Sequence, residues 1–516
     1  MTTLTSNTTP SPSNDTPADF VMAIAGCASR ASVESALDSY ARDRGLSTRS
    51  PLLQLPNLPD TASGAWTDPD GHMLEVQTVF GTRMPRTLHP SESDVRTFSA
   101  FIRSNNAVLA WQTFAFLEHF DQRFSERERH DVLKSMPLLR WAANSYPGPS
   151  RTWRVIFRDH LVENTLGFIS ALLQNGTAAE DVLVLDKGDN TLNRGRIAVT
   201  LRELGITVRR LDNAAVNRTA DPIESETARK TADFVDSFIA DAHGNGQKVV
   251  VVDDGGILAM TDDQGDAVLR ERPDAAIELT VSGLKRLARS RLTTGMPIAN
   301  MARSEVKQRI GYNEIADSCM RRLREALRGE KLIGMRVVAV GYGTLGSRLA
   351  RSLRALGCRV VVVDTDHLQL IAAAEEGFET TPDVAAAIST HPKLLISSTG
   401  EPIASASELA ELPANAYVTA FATADLASIT ENENFGPATL LGDGRSFNLY
   451  RFEGIPNSGY DLYRAATFIV LRQLTERIDA GLLESIDLEE VNDWIRSSGV
   501  YTRYYDEHYS SHPCAL

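Results

Sequence analysis

The stretch Gly334–Asp366, GMRVVAVGYGTLGSRLARSLRALGCRVVVVDTD, admits few folds. VVAV reads as a strand buried on both faces, because its apolar residues run on without alternation. GYGTLG follows and spaces Gly341, Gly343 and Gly346 as G-x-G-x-x-G. SRLARSLRALG is an amphipathic helix closed by Gly357, and CRVVVVD is a second buried strand ending in Asp364. In a βαβ unit of this kind Gly341 permits the tight turn and Gly343 lets backbone approach a pyrophosphate. Gly346 lets helix and strand pack closely. The helix N-terminus offers free N–H groups and a positive dipole end to the phosphates. Asp364 stands 18 residues after Gly346, where a carboxylate binds both ribose hydroxyls and repels a 2′-phosphate. The unit therefore predicts NAD as the cofactor. Thr344, Leu345 and Gln369 are further candidate cofactor contacts.

The rest of the chain is arranged around this unit. Residues 1–20, rich in Ser, Thr, Asn and Pro, are expected to be disordered. Residues 21–150 read as helical, since VRTFSAFIRSNNAVLAWQTFAFLEHF and HDVLKSMPLLRWAAN repeat apolar residues at helical spacing. YPGPS at 146–150 marks a boundary. From 151 strands and helices alternate through RVIFRD, DVLVLD, TVRRLD and KVVVVDDGG, which predicts a parallel sheet covered by helices. The expected fold is α/β: a Rossmann-type NAD-binding domain, 331–450, inserted in a second α/β substrate domain, 151–330. A helical N-terminal extension precedes them, and C-terminal helices and a tail, 451–516, return to the substrate domain.

Composition narrows the function classes. A net charge of −14 and a pI near 5.3 argue against a nucleic-acid partner, which calls for basic patches. No apolar run reaches the roughly 18 residues of a membrane span, and the N-terminus lacks the pattern of a signal peptide. Cys27, Cys319, Cys358 and Cys514 lie far apart and make no metal-binding spacing, so reduced thiols in a cytoplasmic protein and no bound metal are expected. Cys514 stands third from the end, one place short of a prenylation box.

These motifs, taken in order, resemble those of S-adenosylhomocysteine hydrolase over roughly 151–480. GYGTLG, Asp364 and EEGFETT match that family's dinucleotide segment, SSTG at 397–400 its Thr-Thr-Gly, LLGDGRSFNL its Leu-Leu-x-x-Gly-Arg stretch, and VVDDGG its Asp-Asp-Gly-Gly. The resemblance implies NAD held permanently and used to oxidise a ribose 3′-hydroxyl. The neighbouring C–H then becomes acidic, the 5′-thiolate leaves, water adds and the hydride returns. It implies that His160 faces the leaving group, that Asp254 is an acid/base carboxylate and that Lys307 helps to deprotonate the hydroxyl. It sets Thr280, Ser282 and Asn448 near the nicotinamide and Ser398 and Thr399 at the cofactor, in an assembly of several copies.

The facing side departs from the family. Leu279 stands where the family has Glu, with Glu278 one place earlier. Gly311 and Tyr312 replace an Asp-Asn pair, for which Asn313 could serve after a one-residue slip. Thr423 and Ile455 replace histidines, and Val162 and Asn164 replace a Thr and a Glu beside the adenosine. No lysine follows Lys393, so Arg503 and the tyrosines of YTRYYDEHY are the candidates to replace a C-terminal lysine arm. A site stripped of hydrogen-bond partners binds the original substrate poorly. The expectation is an enzyme that keeps NAD-linked oxidation of a sugar hydroxyl but takes a different nucleoside-like substrate. True S-adenosylhomocysteine hydrolysis and a non-catalytic, NAD-binding regulator are the alternatives.

Overall fold

The computed structural model describes residues 20–510 except 56–57, 84–94, 119, 147, 149–151, 218–219, 221, 262–266, 291, 423, 431–435 and 484. The expected disordered lead-in lies outside them apart from Phe20, which opens a strand. The chain divides into two compact units, residues 1–127 with 195–200, and residues 128–194 with 201–516.

The first unit corrects the helical expectation for its N-terminal part. It holds β1 (Phe20–Ala28), β2 (Ser47–Leu55), β3 (Leu58–Thr67), β4 (Met73–Arg83) and β5 (Arg96–Ser104) in one antiparallel sheet of order β1-β5-β4-β3-β2. Helices Arg30–Asp43 and Ala107–Glu118 accompany it. In β5 Phe98, Ala100 and Ile102 are buried while Phe101 between them is exposed, a period of two. The helical reading of VRTFSAFIRSNNAVLAWQTFAFLEHF merged this strand with the helix after it. Asn106 separates them, its side chain accepting the amides of Val108 and Leu109 at 2.9 and 3.1 Å as a helix cap. The helical expectation does hold for Ala107–Glu118 and, beyond it, for Glu126–Lys134 and Pro137–Ser145.

The second unit is α/β, with two parallel six-stranded sheets. One contains β6 (Trp153–Asp159), β7 (Val182–Asp186), β8 (Thr207–Arg210), β9 (Lys248–Asp253), β10 (Ala275–Glu278) and β11 (Ile298–Asn300), in the order β11-β10-β9-β6-β7-β8. The other contains β12 (Arg336–Val340), β13 (Arg359–Val363), β14 (Glu379–Thr381), β15 (Leu394–Ser397), β16 (Tyr417–Ala420) and β17 (Thr439–Leu440), in the order β14-β13-β12-β15-β16-β17. Counted from its own first strand, each reads 3-2-1-4-5-6, the doubly wound order of a Rossmann sheet. The unbroken apolar runs follow from two covered faces. Val337, Ala339, Val360 and Val362 pack with Leu349 and Leu353 of helix Thr344–Ala355, while Val338, Val340, Val361 and Val363 pack with Leu395 and Val418 in another core. Among the described residues no helix is long and apolar enough to cross a membrane.

Helix Asn457–Asp479 packs on helix Glu163–Gln174, with Phe468 edge-on to Phe168 at 5.9 Å. Its Asp461 also completes a distant helix. Pro137–Ser145 starts with no side-chain cap of its own, and the Asp461 carboxylate accepts the amides of Leu138 and Leu139 at 2.8 Å each. Burial raises the Asp461 carboxyl to about 7, with the two amides holding it down. An unfolded aspartate titrates near ~3.9. The stabilising contribution of the bound proton is therefore complete below about pH 4 and lost as pH rises through about 7. Asp461→Asn, which cannot ionise, should lose less stability than the native chain across that interval, by a few kcal/mol in urea unfolding. Parallel pH profiles for the two proteins would exclude this account.

Candidate active site

In an open parallel sheet, ligands bind beyond the carboxyl ends of the strands, where the strand order reverses. The NAD motif occupies that position in the sheet of β12–β17, because β13 and β15 flank β12 on opposite sides. Gly341 has φ 92°, a left-handed conformation natural to glycine. A Cβ on Gly346 would lie 1.9 Å from the Gly341 carbonyl oxygen, so only glycine lets the helix start this close to the strand. A Cβ on Gly343 would meet nothing within 4 Å. Gly343 is thus a glycine for which the protein itself has no packing need, as expected where a pyrophosphate approaches. Asp364 follows β13 and accepts the amides of Tyr342 and Asp366 at 2.7 and 2.9 Å, which fixes its carboxylate beside the loop. These features fit NAD.

The other cofactor candidates surround this loop unevenly. Leu345 packs on the domain core, and the Thr344 hydroxyl lies 3.0 Å from Gln308 Oε1, a bond that ties the loop to the preceding helix. Gln369 is half-buried on helix His367–Glu375. Ser398 and Thr399 follow β15 directly, and a Cβ on Gly341 would lie 3.0 Å from Thr399 Cγ2. Asn448 is buried next to Phe447, whose amide bonds the Ala420 carbonyl at the end of β16. Thr280 caps helix Val281–Leu287, accepting the Gly283 amide at 2.9 Å, and Ser282 Oγ lies 3.4 Å from Thr280 Oγ1.

The catalytic candidates gather at the reversal of the sheet of β6–β11, between β6 and β9. His160 follows β6 and Asp254 follows β9, with His160 Nε2 3.8 Å from Asp254 Oδ1. Sequence reasoning missed Lys187, which follows β7 and joins them. Its Nζ pairs with Asp254 and lies 3.1 Å from His160 Nε2, while His160 Nδ1 is 2.6 Å from Asp189 Oδ2. Burial alone would raise both carboxyls. The His160 ring, with Lys187 and Arg445, instead holds Asp189 at about 2, and Lys187 with His160 holds Asp254 well below the carboxylate range. Asp159, His160 and Asp254 offer ligand atoms within 4.8 Å of one another, but the Lys187 ammonium already supplies positive charge there.

Lys307 lies in a single π-helical turn, Lys307–Gly311, of the kind that recurs at functional sites. Its Nζ is 2.6 Å from the Tyr460 hydroxyl and 4.2, 5.3 and 5.8 Å from the ring centres of Tyr463, Tyr460 and Tyr312. Burial pulls its amine below the ordinary lysine range, and Tyr312, Asp254 and Asp159 pull back. Tyr460 and Tyr463 were also unread in the sequence. Their spacing of three on helix Asn457–Asp479 turns both toward Lys307, a signal that needed a known position for the helix. Asn313 does not take the place of the missing Asp-Asn pair: its Oδ1 accepts from Arg348 at 2.8 Å, and its side chain is exposed.

The altered positions are accounted for in part. Glu278 ends β10 fully buried, accepting from the Thr280 amide and hydroxyl at 2.8 and 2.7 Å. Burial, with Asp253 alongside, holds its carboxyl well above the usual range. Asn164 accepts from Arg464 at 2.7 and 2.9 Å and donates to the Ile455 carbonyl at 3.2 Å, so its polar groups are spent inside the protein. Val162 and Leu279 are buried and apolar. Arg503 stacks on Trp141 at 5.4 Å, and Thr423 lies outside the described residues.

A doubly wound parallel sheet with this glycine turn at its reversal defines an NAD-binding Rossmann domain. Residues 313–431 match the family model of the S-adenosyl-L-homocysteine hydrolase, NAD binding domain. Over those residues the chain is similar to that domain. It is 26% identical over 257 residues to the adenosylhomocysteinase of Thermotoga maritima, covering 49% of this chain and 58% of that protein. It is 30% identical over 139 residues to the S-inosyl-L-homocysteine hydrolase of Methanopyrus kandleri, covering 26% of this chain and 32% of that one. The chain thus spans less than two thirds of the length of either relative. Among solved structures, a 2-hydroxyacid dehydrogenase from Ketogulonicigenium vulgare aligns with 12% identity and a TM-score of 0.33, over 64% of this chain and 96% of that one.

The second and third glycines of the motif should respond differently to alanine. Gly346→Ala forces the loop apart and should lower both the thermal midpoint and NAD affinity. Gly343→Ala should leave the midpoint of NAD-free protein within about 2 °C yet weaken NAD at least about tenfold, since its Cβ enters only the space a pyrophosphate would use. Equal NAD affinity for Gly343→Ala and the native chain would count against this assignment.

Proposed function

We propose that this chain is an NAD-dependent enzyme that transiently oxidises a sugar hydroxyl of a nucleoside-like substrate held at the carboxyl edge of the β6–β11 sheet. The reading is supported above all by the meeting of His160, Asp254 and Lys187 at a strand-order reversal, with Lys307 within electrostatic reach of Asp254. NAD, when bound, supplies a hydride acceptor. Lys307, with an amine below its usual range, takes the proton the hydroxyl releases as its carbon is oxidised. Tyr460, bonded to that amine, orients it and offers a path for the proton. The new ketone acidifies the adjacent C–H, and Asp254 or His160, which meet beside Lys187, moves that proton. His160, oriented by Asp189, faces the departing or returning group. Elimination at C5′ and epimerisation are both open to this set. Val162, Leu279 and the engaged Asn164 favour a substrate other than that of the curated relatives.

The non-catalytic alternative draws on one observation: Asp254 and Lys307 already have partners in Lys187 and Tyr460. The test is to incubate NAD-loaded protein with candidate nucleosides and follow the NADH absorbance band. Lys307→Met and Asp254→Asn should each cut the rate of reduction or turnover by about 10²–10⁴ without unfolding the chain. If no nucleoside reduces the cofactor in protein shown to carry it, the regulator reading stands in its place.

A further inference from the structure

One buried carboxylate of the NAD domain has no role in the account so far. Asp425 follows β16 and is completely buried. Its Oδ1 accepts the Gly400 amide at 2.6 Å and lies 2.9 Å from the Thr399 hydroxyl, and its Oδ2 accepts the Thr399 amide at 3.3 Å. Its own carbonyl accepts the Ile403 amide at 3.1 Å. One side chain thus gathers the donors of the turn that leaves β15.

That turn is a wall of the NAD cleft. The Ser398 amide bonds the Val340 carbonyl at 3.1 Å, joining the turn to the end of β12. A Cβ on Gly341 would lie 3.0 Å from Thr399 Cγ2 and 3.4 Å from the Ser398 carbonyl, and one on Gly346 would lie 2.8 Å from Ser398 Oγ. Gly341 therefore makes its closest approach to Thr399, which Asp425 holds, and Gly346 comes close to Ser398 one residue before it. Gly400, at φ 76°, turns the chain back so that both amides point at one carboxylate. We infer that Asp425 is a positioning residue for NAD: it clamps the Ser398–Gly400 turn against the glycine loop and so sets the width of the cofactor cleft. Burying a carboxylate is costly, and here burial raises it to about 6 despite the hydrogen bonds it accepts. A neutral side chain would cost the fold less, which points to a role in holding this turn.

The chemistry of the clamp makes Asn a poor substitute. A carboxylate offers acceptors to all three donors, whereas an amide turns one N–H₂ toward a backbone N–H. The test uses the full chain, stripped of cofactor and titrated with NAD itself, with the thermal midpoint of NAD-free protein measured in parallel. Asp425→Asn should weaken NAD about tenfold through faster release while the NAD-free midpoint moves little. Thr399→Val should weaken it similarly and Thr399→Ser should restore native affinity. The double variant Asp425→Asn/Thr399→Val should lose no more than the worse single one, because the two side chains act as one unit. Native NAD affinity and release rate in Asp425→Asn would overturn the proposal, as would a loss that only tracks a falling midpoint. Should Asp425→Asn fail to fold, Thr399→Val against Thr399→Ser decides, since both keep the carboxylate. No turnover is needed, so failure here leaves the proposed reaction standing. Failure of the native chain to bind NAD at all would overturn the cofactor assignment together with this clamp.

Discussion

Charge matching at the carboxyl edge of the β6–β11 sheet governs the rest of the candidate site. Asp159, Asp189, Asp253 and Glu278 are buried there, with Asp254 nearly so. Unpaired charges at such depth are prohibitive. The chain answers each one differently. Asp159 takes Arg464 at 2.7 Å, Asp189 takes His160 at 2.6 Å, Asp253 faces Arg158 at 3.4 Å and Asp254 takes Lys187, while burial holds the Glu278 carboxyl well above its usual range. The cations Arg158, Lys187 and Arg464 each have a second duty, Lys187 lying 3.1 Å from His160 Nε2 as well. Arg158 also bonds the Asp254 carbonyl and Asn213 at 2.7 and 2.9 Å, and Arg464 holds Asn164. The network is therefore both what makes the edge stable and what fixes the candidate catalytic groups in place.

The two sheets put these groups to use through the same winding. Each reverses direction after its first strand, and each reversal carries one half of the candidate chemistry: the glycine turn in one, the acid and base groups in the other. The helix that opens at Lys307 links them, since Gln308 bonds Thr344 and Asn313 bonds Arg348 of the cofactor helix. The candidate lysine is thus tied by its neighbours in sequence to the loop that would hold the dinucleotide.

The NAD half was legible in sequence because it depends on local rules. Gly341, Gly346 and Asp364 follow from backbone geometry within one βαβ unit, and continuous valines betray a sheet covered on both faces. Asp425 was not legible, because its partners lie 25 and 26 residues earlier and nothing local marks a buried clamp. Lys187 was hidden likewise: DVLVLDKGDN shows a strand end, but its pairing with Asp254 requires the order of β7, β6 and β9. The N-terminal strands were misread for another reason. Short amphipathic strands of small and aromatic residues also fit a helical period, and the cap at Asn106 is what separates β5 from the helix behind it.

On the proposed reading, the replaced residues divide the substrate unequally. Polar and charged groups remain where a sugar hydroxyl would react: Lys307, Tyr460, Asp254 and His160. At the positions where the family resemblance expects polar groups, Val162 and Leu279 are apolar and Asn164 is engaged within the protein. An apolar pocket rejects an altered ring only weakly, whereas a site built to hydrogen-bond a hydroxyl rejects its absence strongly. Discrimination would then rest on the sugar and its configuration, with the base recognised mainly by shape. A chain under this arrangement can drift toward a new nucleobase without rebuilding its chemistry, because the two tasks are carried by different residues on one strand edge.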